Sequence, residues 1–352
     1  MNNQTSHNSS SVGVVVIGRN EGDRLKRCLE SLVGTVDLMV YVDSGSTDDS
    51  VGFARLLGVN VWELDLSKPF TMARGRNEGF ERLLQIKSDL DYVQFIDGDC
   101  EVVLGWIDLA RETLDENEKF VAVAGLRKER YPQASLYNQL CDIEWNGACG
   151  IVPSTGGDVM IRTEPFEKSG GFNEGMIAGE EGELMLRLRR EGWQVYRLDQ
   201  TMTLHDAAMT RLSQWYKRTL RAGHAYAQGM SMHWLSCEKY NVKPVISSLA
   251  WGLGMPALAI CCLIAALFWL PALIGVAMVL LMTIVTWARI VRCRWITSRN
   301  MPQSILFSTF CLLAKLPQAM GVAWFVSNQL RGRRSGLIEY KTATTEVSPK
   351  TS

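Results

Sequence analysis

The chain has 352 residues, which is enough for one large domain or two modest ones. Lys and Arg together number 37, as do Asp and Glu, so the overall charge gives no indication of a nucleic-acid partner. The charge is unevenly distributed, however, because residues 1–240 are mixed in character and residues from about 246 to 330 are mostly apolar. The nine cysteines include no CxxC pair, and we interpret them as apolar side chains in a reducing compartment rather than as disulfides or zinc ligands.

The N-terminal half alternates short β-type runs with helical patterns. The polar residues 1–11 lack the apolar core of a signal peptide and are expected to form a disordered tail. Strands are then predicted over 12–18, 38–45, 59–64 and 92–97, and helical patterns follow the first three of these strands. This alternation indicates a parallel, doubly wound α/β sheet, in which ligands bind at the carboxyl ends of the strands.

The following part of the chain is less regular. Residues 127–157 are interpreted as a loop-rich stretch, followed by a short apolar run over 158–162. A strong helical pattern covers 180–192, and a short strand is predicted over 195–198. Residues 210–235 are amphipathic and rich in Arg, Lys, Trp and Tyr, which predicts a helix lying at a membrane interface.

A long apolar stretch over 251–290 contains no charged residue before Arg289. A helix needs about 20 apolar residues to span a bilayer, so this stretch is long enough for two spans. We place them at about 249–268 and 272–290, with a break near Pro271, as a transmembrane helical hairpin. One long buried helix is the alternative interpretation.

The arginines that follow the hairpin suggest its orientation. Arg289, Arg292, Arg294 and Arg299 are expected in the cytosol by the positive-inside rule, which places the soluble part there too. The resulting location is the inner (plasma) membrane of the cell, with the soluble domain facing the cytoplasm.

A third apolar stretch, at about 305–327, completes a membrane region over 246–330 and precedes an expected cytosolic tail over 331–352. Lys315 and Pro317 interrupt this stretch. A third span would place the arginines at 331, 333 and 334 outside, so we favour a re-entrant or interfacial helix and keep a third span as the alternative.

The strongest local indication of chemistry is Asp97-Gly98-Asp99 at the end of a predicted strand. Two carboxylates flanking a glycine can bind a divalent cation that bridges a diphosphate, although many ordinary turns share this pattern. Two further segments support a diphosphate-binding site. Asp43 ends another strand and precedes a helix N-terminus. Residues 74–79 form a basic loop whose arginines suit phosphate oxygens.

Together, these segments resemble the family 2 glycosyltransferases, which have a GT-A fold. The resemblance rests on VVVIGRNEG (14–22), VDSGSTDDS (42–50), ARGRNEG (73–79), FIDGD (95–99), GGDVMIR (156–162), GGFNEG (170–175) and GEEGELMLRLRREGW (179–193). It covers about residues 12–225. It implies a Rossmann-like GT-A domain over 12–235 that binds a UDP- or GDP-linked sugar.

The resemblance also implies roles by position. Arg76 would contact the nucleotide, and Asp97 would meet ribose or metal. Asp99 would hold Mg²⁺ or Mn²⁺ against the diphosphate, with His205 as a further metal or phosphate ligand. The base and ribose would be lined by Gly18, Arg19, Glu21 and Asp43.

The catalytic base of the family usually lies in a Glu-Asp pair that opens a helix. This chain has Glu180-Glu181, so Glu181 replaces the usual Asp and extends its carboxylate by one methylene. The base would deprotonate an acceptor hydroxyl, while Arg76, with the arginines at 218 and 221, would stabilise the leaving diphosphate. Arg218 and Arg221 lie in the amphipathic segment, where a role at lipid headgroups is the alternative.

The function expected from the sequence is inverting transfer of a single sugar to a lipid-linked acceptor, in surface polysaccharide or glycolipid synthesis. A non-catalytic membrane scaffold derived from a glycosyltransferase is the alternative, and nucleotidyl transfer to a sugar phosphate is a third hypothesis. Tyr131, Tyr137, Trp145 and Asn146 are candidates for shaping the sugar or acceptor pocket, although aromatic loop residues more often serve packing.

Overall fold

The structure is a computed structural model, and it describes residues 10–145, 147–333 and 336. The expected N-terminal tail up to residue 9, Asn146 and the C-terminal tail beyond 333, apart from 336, lie outside the described residues. Within this range the strands are β1 (Val12–Gly18), β2 (Leu38–Asp43), β3 (Asn60–Glu63), β4 (Tyr92–Asp97), β5 (Cys100–Val102), β6 (Phe120–Glu129), β7 (Gly150–Ile151), β8 (Val159–Arg162) and β9 (Gln194–His205).

Helices cover the sheet and form the C-terminal region. They are α1 (Asp23–Leu32), α2 (Ser50–Leu56), α3 (Met72–Ile86), α4 (Trp106–Glu116), α5 (Leu136–Trp145), α6 (Thr163–Lys168), α7 (Glu180–Arg190), α8 (Leu212–His233), α9 (Val242–Leu249), α10 (Met255–Ala266), α11 (Leu273–Ser298), α12 (Met301–Leu313) and α13 (Lys315–Leu330). A π-helical turn, Ala250–Gly254, joins α9 to α10, and a 3-10 turn, Leu270–Ala272, precedes α11.

The strands form one mixed sheet in the order β3-β2-β1-β4-β8-β6-β9-β5, with β7 paired to β9. The predicted parallel arrangement is confirmed for β3, β2, β1 and β4. It is wrong for the sheet as a whole, because β8 runs antiparallel to β4 and β6, and β5 runs antiparallel to β9. Parallel strands need crossover connections, which α1 supplies between β1 and β2, α2 between β2 and β3, and α3 between β3 and β4.

The core lies where the apolar strands meet the helices. Val14, Val15 and Val16 of β1 are fully buried, as expected of a strand covered on both faces. Leu25 and Leu29 of α1 pack in the same core and explain the helical spacing of that segment. The carboxyl ends of β1 and β4 are thereby held side by side.

The structure differs most from the sequence-based prediction between residues 100 and 205. Residues 127–157 contain the end of β6 and the helix α5 rather than only loops. The strand predicted over 195–198 extends to His205, through the polar segment 199–203, because β9 pairs with β5, β6 and β7. Backbone pairing to several strands outweighs the weak strand propensity of this segment and carries His205 to the same end of the sheet as β5.

Within the described residues, three continuous helical segments are long and apolar enough to cross a membrane: Val242–Ala266, Leu270–Ser298 and Met301–Leu330. They indicate membrane association. The third segment differs in its packing, because 28% of its most apolar stretch is buried, against 6% for each of the other two. Its helix α13 packs along α8, and Phe310 of α12 packs edge-on against Trp215 of α8.

Candidate functional site

A cavity of 560 Å³ lies at the carboxyl ends of β1 and β4. Most of the residues predicted for the site line it, namely Gly18, Arg19, Glu21, Arg76, Asp97, Asp99, Glu181, His205, Arg218 and Arg221. Two others lie outside its lining. Glu180 is 1% exposed and contacts Arg76, and Asp43 is buried beneath the β2–α2 loop. The structure therefore gathers ten of the twelve predicted positions around one space.

Asp43 holds the loop after β2 in place. One carboxylate oxygen accepts hydrogen bonds from the backbone N–H groups of Gly45 and Ser46, at 2.9 and 2.8 Å. The other accepts from the hydroxyls of Tyr41 and Ser46. Gly45 has φ of 92°, a left-handed conformation that favours glycine. Both oxygens of Asp43 are thus engaged within the protein, while Ser44 of the same loop lines the cavity.

Arg76 is the centre of a buried ion-pair network. It lies in the first turns of α3, which Thr71 caps by accepting a hydrogen bond from the backbone N–H of residue 74. The Arg76 guanidinium is 2.8 Å from carboxylate oxygens of Asp97 and Glu180 and 3.4 Å from Glu181. Gly157 leaves room for it, because a Cβ there would lie 2.2 Å from an Arg76 nitrogen. One cation therefore faces three carboxyl groups.

This crowding of carboxylates explains the protonation of Glu181. Burial and the negative charge of Glu180 raise the pKa of Glu181 to about 7, although Arg76 acts in the opposite direction. A carboxyl group with this pKa exchanges protons near neutral pH, as a general base must. Glu181 lines the cavity, whereas Glu180 does not, and this difference makes Glu181 the better placed of the two glutamates for contact with a substrate.

Arg127 and Asp158 are site residues to which the sequence analysis assigned no role. Arg127, near the end of β6, lies 2.8 Å from Asp158 and 3.3 Å from Asp97. Burial would raise the pKa of Asp97, but the guanidinium groups of Arg76 and Arg127 outweigh it and hold the pKa well below its usual range. Asp158 lies within the GGDVMIR segment, so its motif was visible in the sequence, whereas Arg127 falls in a stretch interpreted as loop.

Asp99 and His205 form the best candidate for a divalent-cation site. His205 Nε2 lies 3.3 Å from an Asp99 oxygen, and both side chains are buried. Burial lowers the pKa of His205, which favours the neutral imidazole that a metal requires. Glu129 lies 3.7 Å from the other ring nitrogen, Nδ1, which is buried and has no hydrogen-bond partner among the described residues.

The donor chemistry fits a hard cation such as Mg²⁺ or Mn²⁺. Cys100 lies close to Asp99 and His205, and burial raises the pKa of its thiol well above the usual value, so a hard cation is better matched by the carboxylate and the imidazole than by this soft thiol. The remaining donors are a carboxylate oxygen and an imidazole nitrogen. Asp97 has both oxygens engaged by arginines in this structure, whereas one oxygen of Asp99 faces the His205 imidazole.

The helices α5 and α8 form part of the cavity wall. Arg218 of α8 forms a 2.7 Å ion pair with Glu144 of α5, and Arg221 lines the cavity one turn further along α8. Trp145 lies edge-on to the His205 ring, at 4.4 Å between ring centroids, and also lines the cavity.

The remaining aromatic candidates lie away from the cavity lining. Tyr137 instead packs against Phe310 of α12, and Tyr131 is half exposed. Asn146 lies outside the described residues.

Comparison with known proteins relates this site to one family. The family model described as glycosyl transferase family 2 matches residues 13–148. An uncharacterized glycosyltransferase of Rickettsia felis is 32% identical over 111 residues, which cover 32% of this chain and 34% of that protein. A TPR repeat-containing protein of Synechococcus elongatus is 30% identical over 132 residues, covering 37% of this chain and 30% of the relative. The chain therefore spans about a third of the length of these curated relatives.

A solved structure extends the likeness to the fold. It is the mannosyltransferase PcManGT of Pyrobaculum calidifontis, in complex with GDP-Man and Mn²⁺. The TM-score is 0.50 at 15% identity, over 91% of this chain and 86% of the other. At this identity the comparison concerns the fold alone, which is GT-A-like. Residues 13–148, which include the strands β1 and β4 beside the cavity, therefore match the family 2 glycosyltransferases.

Proposed function

We propose that this protein transfers a sugar from a nucleoside diphosphate sugar to a lipid-linked acceptor at the cytoplasmic face of the inner (plasma) membrane. The observation that carries the proposal is the pairing, in one cavity, of Glu181, whose pKa is raised to about 7, with the Asp99–His205 donor pair. A base and a site for a divalent cation that would neutralise the diphosphate are what glycosyl transfer from a diphosphate leaving group requires. The family supports the reaction class.

In the proposed donor site, the diphosphate lies near Asp99, His205 and Arg76. A bound Mg²⁺ or Mn²⁺ would neutralise charge on the diphosphate as it leaves. Gly18, Arg19 and Glu21 line the part of the cavity next to β1, where we place the nucleoside. The structural neighbour was solved with GDP-Man and Mn²⁺, which supports testing guanine as well as uracil nucleotides.

In the proposed reaction, Glu181 accepts the proton of an acceptor hydroxyl. The hydroxyl oxygen forms a bond to the anomeric carbon, and the bond from this carbon to the phosphate oxygen breaks. The electron pair of that bond leaves with the nucleoside diphosphate. A single displacement of this kind inverts the anomeric configuration. Arg76 lies between Glu181 and Asp97 and so can stabilise charge at both ends of the reaction centre.

The lipid acceptor is inferred from the position of the apolar helices. Arg218, Glu144 and Trp145 line the cavity from α5 and α8, and these two helices also pack against α12 and α13. Trp215, Leu140 and Ala314 belong to the apolar cluster at this seam. An acceptor confined to the bilayer would therefore approach the cavity along the wall that contacts the membrane-associated helices.

The proposal is tested by titrating the full-length protein in detergent with UDP and GDP, each with and without Mn²⁺, by calorimetry. We expect Mn²⁺-dependent binding of one nucleotide, followed by release of that nucleoside diphosphate from the corresponding sugar donors. Asp99→Ala should abolish the Mn²⁺ dependence, whereas Asp108→Ala, at an exposed position of α4, should retain it. Absence of binding of both nucleotides would overturn the proposal in favour of a scaffold, and unchanged Mn²⁺ dependence in Asp99→Ala would remove the metal role of Asp99.

A further inference from the structure

Residues 233–241, which we call the connector, link α8 to the first apolar helical segment and pack against α7. Helix α7 carries Glu180 and Glu181 in its first turn. The connector does not line the cavity, so the contacts between it and α7 have no evident part in binding a substrate. Because these contacts are several and partly buried, they constrain the position of α7 itself.

The central contact joins Glu183 of α7 to His233 at the end of α8. The distance from Glu183 Oε1 to His233 Nε2 is 2.9 Å, and Glu183 is buried. Arg187, one turn along α7, donates hydrogen bonds to the same carboxylate at 2.9–3.0 Å. Arg187 also donates hydrogen bonds to the backbone carbonyls of Ser169 and Gly171, at 2.6 Å each. Glu183 is therefore held from two sides.

The hydrogen bonds of His233 define its tautomer. Arg190 Nη1 lies 3.4 Å from His233 Nδ1. A guanidinium can only donate a hydrogen bond, so Nδ1 accepts and Nε2 carries the hydrogen that is donated to Glu183. In this tautomer His233 accepts a hydrogen bond from Arg190 and donates one to Glu183, which fixes the orientation of the ring between them.

A second contact covers the backbone of α7 between its glutamates. A Cβ at Gly182 would lie 2.6 Å from the Tyr240 hydroxyl, so the ring of Tyr240 rests on the glycine. Tyr240 also lies against Gly229 of α8 and edge-on to His233, at 6.0 Å between ring centroids. Arg189 pairs with Glu238 further along the same face. The connector thus contacts α7 at several successive positions.

The geometry of a helix relates these contacts to the cavity. Successive residues turn by about 100°, so Glu181 and Glu183 project from roughly opposite sides of α7. Fixing Glu183 therefore fixes the rotation of α7 and, with it, the direction of Glu181. We propose that the connector positions the general base, with Glu183, His233 and Tyr240 as positioning residues that hold Glu181 against Arg76 and the cavity. This inference rests on the proposed function of Glu181.

The general-base role of Glu181 depends on its distances to the surrounding charged groups. Arg76 of α3 lies 3.4 Å from Glu181, Glu180 precedes it on α7, and Asp97 of β4 contacts the same guanidinium. Arg127 of β6 and Tyr240 of the connector also influence these charges. A rotation of α7 would change the distances from Glu181 to all of these groups, so the acid limb of the pH–rate profile reports the position of α7.

Two variants, His233→Ala and Tyr240→Phe, remove contacts between the connector and α7. Two controls are His233→Gln, which keeps a side-chain N–H donor, and Cys237→Ala, at an exposed position in the same connector. The full-length protein is assayed in detergent for release of nucleoside diphosphate from UDP- and GDP-sugars in Mn²⁺. We expect His233→Ala to lower kcat by about tenfold or more and to shift the acid limb of the profile. Binding of the nucleoside diphosphate should stay within about twofold of wild type, and His233→Gln should recover most of the rate.

A second measurement needs no turnover. Hydrogen exchange of residues 179–186 should accelerate by about tenfold in His233→Ala and stay unchanged in Cys237→Ala. Unchanged exchange in His233→Ala would overturn the inference whether or not the protein releases nucleotide. The inference would also be overturned if His233→Ala lost thermal stability but kept the kcat and the acid limb of the pH–rate profile of the wild type. Failure of the wild-type protein to release any nucleotide would count against the proposed function and would leave the exchange measurement to decide the positioning role.

Discussion

At the scale of single residues, the balance of charge around Arg76 determines the chemistry of the cavity. Arg76 and Arg127 face four carboxyl groups, those of Asp97, Asp158, Glu180 and Glu181, within a buried cluster. Two cations leave four carboxylates with excess negative charge in a medium of low dielectric constant, which favours protonation within the cluster. Glu181 is the member with the clearly raised pKa, and it lines the cavity.

This balance predicts a pH dependence. The base acts in its deprotonated form, so release of nucleoside diphosphate should fall about tenfold per pH unit below a pH of about 7, the pKa of Glu181. Glu181→Gln should lower kcat by about 10²–10⁴-fold with nucleotide binding retained, because the amide cannot accept the proton. Glu191→Gln, at the exposed end of α7, is the matched control. A rate independent of pH between 5.5 and 8, or full activity of Glu181→Gln, would exclude this base.

At the scale of elements, the crossing of α8 and α13 links the cavity wall to the third apolar segment. The backbones meet at two glycines. A Cβ at Gly223 would lie 2.0 Å from the carbonyl oxygen of Gln318, and one at Gly321 would lie 2.1 Å from that of Leu220. Small residues permit this close approach between helices. Because Arg218 and Arg221 lie on the same helix as Gly223, the crossing also fixes one wall of the cavity.

Enlarging either glycine should separate the helices. We expect Gly321→Ala and Gly223→Ala each to destabilise the protein by about 1–3 kcal/mol, because the obstructing atoms belong to backbone that cannot rotate away. Gly254→Ala is the matched control, since the nearest atom to its Cβ would lie at 3.6 Å, an ordinary contact. Thermal unfolding of the three variants in one detergent measures the effect. Equal midpoints for Gly321→Ala and Gly254→Ala would contradict the close crossing.

At the scale of the whole molecule, the soluble domain and the apolar region are packed into one body through α8, α5, α12 and α13. The third apolar segment is more buried against the protein than the other two, which distinguishes it from a helix surrounded by lipid. Its two helices meet at Ala314, next to Lys315 and Pro317. These features favour the re-entrant or interfacial arrangement that the charge pattern suggests.

This arrangement can be measured in the intact membrane. Single cysteines at Asn300 and Gly332, at the two ends of the third segment, should both react with an impermeant maleimide added from the cytoplasmic side. A cysteine at Trp269, between the first two segments, should react from the other side and serves as the control. Labelling of Asn300 and Gly332 from opposite sides would show that the third segment crosses the bilayer.

The sequence carried enough information to predict the elements whose patterns are local. The strands β1, β2 and β4 and the helix α7 were predicted nearly to their observed ends, because burial of successive side chains leaves a periodic pattern along the chain. The three apolar stretches were located, but the helical segments at these places, Val242–Ala266, Leu270–Ser298 and Met301–Leu330, are longer. The fold class followed from the resemblance and is confirmed. The mixed character of the sheet and the length of β9 were missed, because strand direction and pairing partners are set by residues far away along the chain.

What the sequence determined by itself is therefore the set of chemical groups, the local elements and the resemblance to one family. The tertiary structure decided which of those groups meet in one cavity. Arg76 and Glu180 are 104 residues apart in sequence and 2.8 Å apart in space, and their contact helps to set the pKa of Glu181. Glu183 and His233, 50 residues apart in sequence, orient α7, the helix that carries Glu181. Electrostatic coupling and the exclusion of water depend on distance and burial, which no pattern along a chain records.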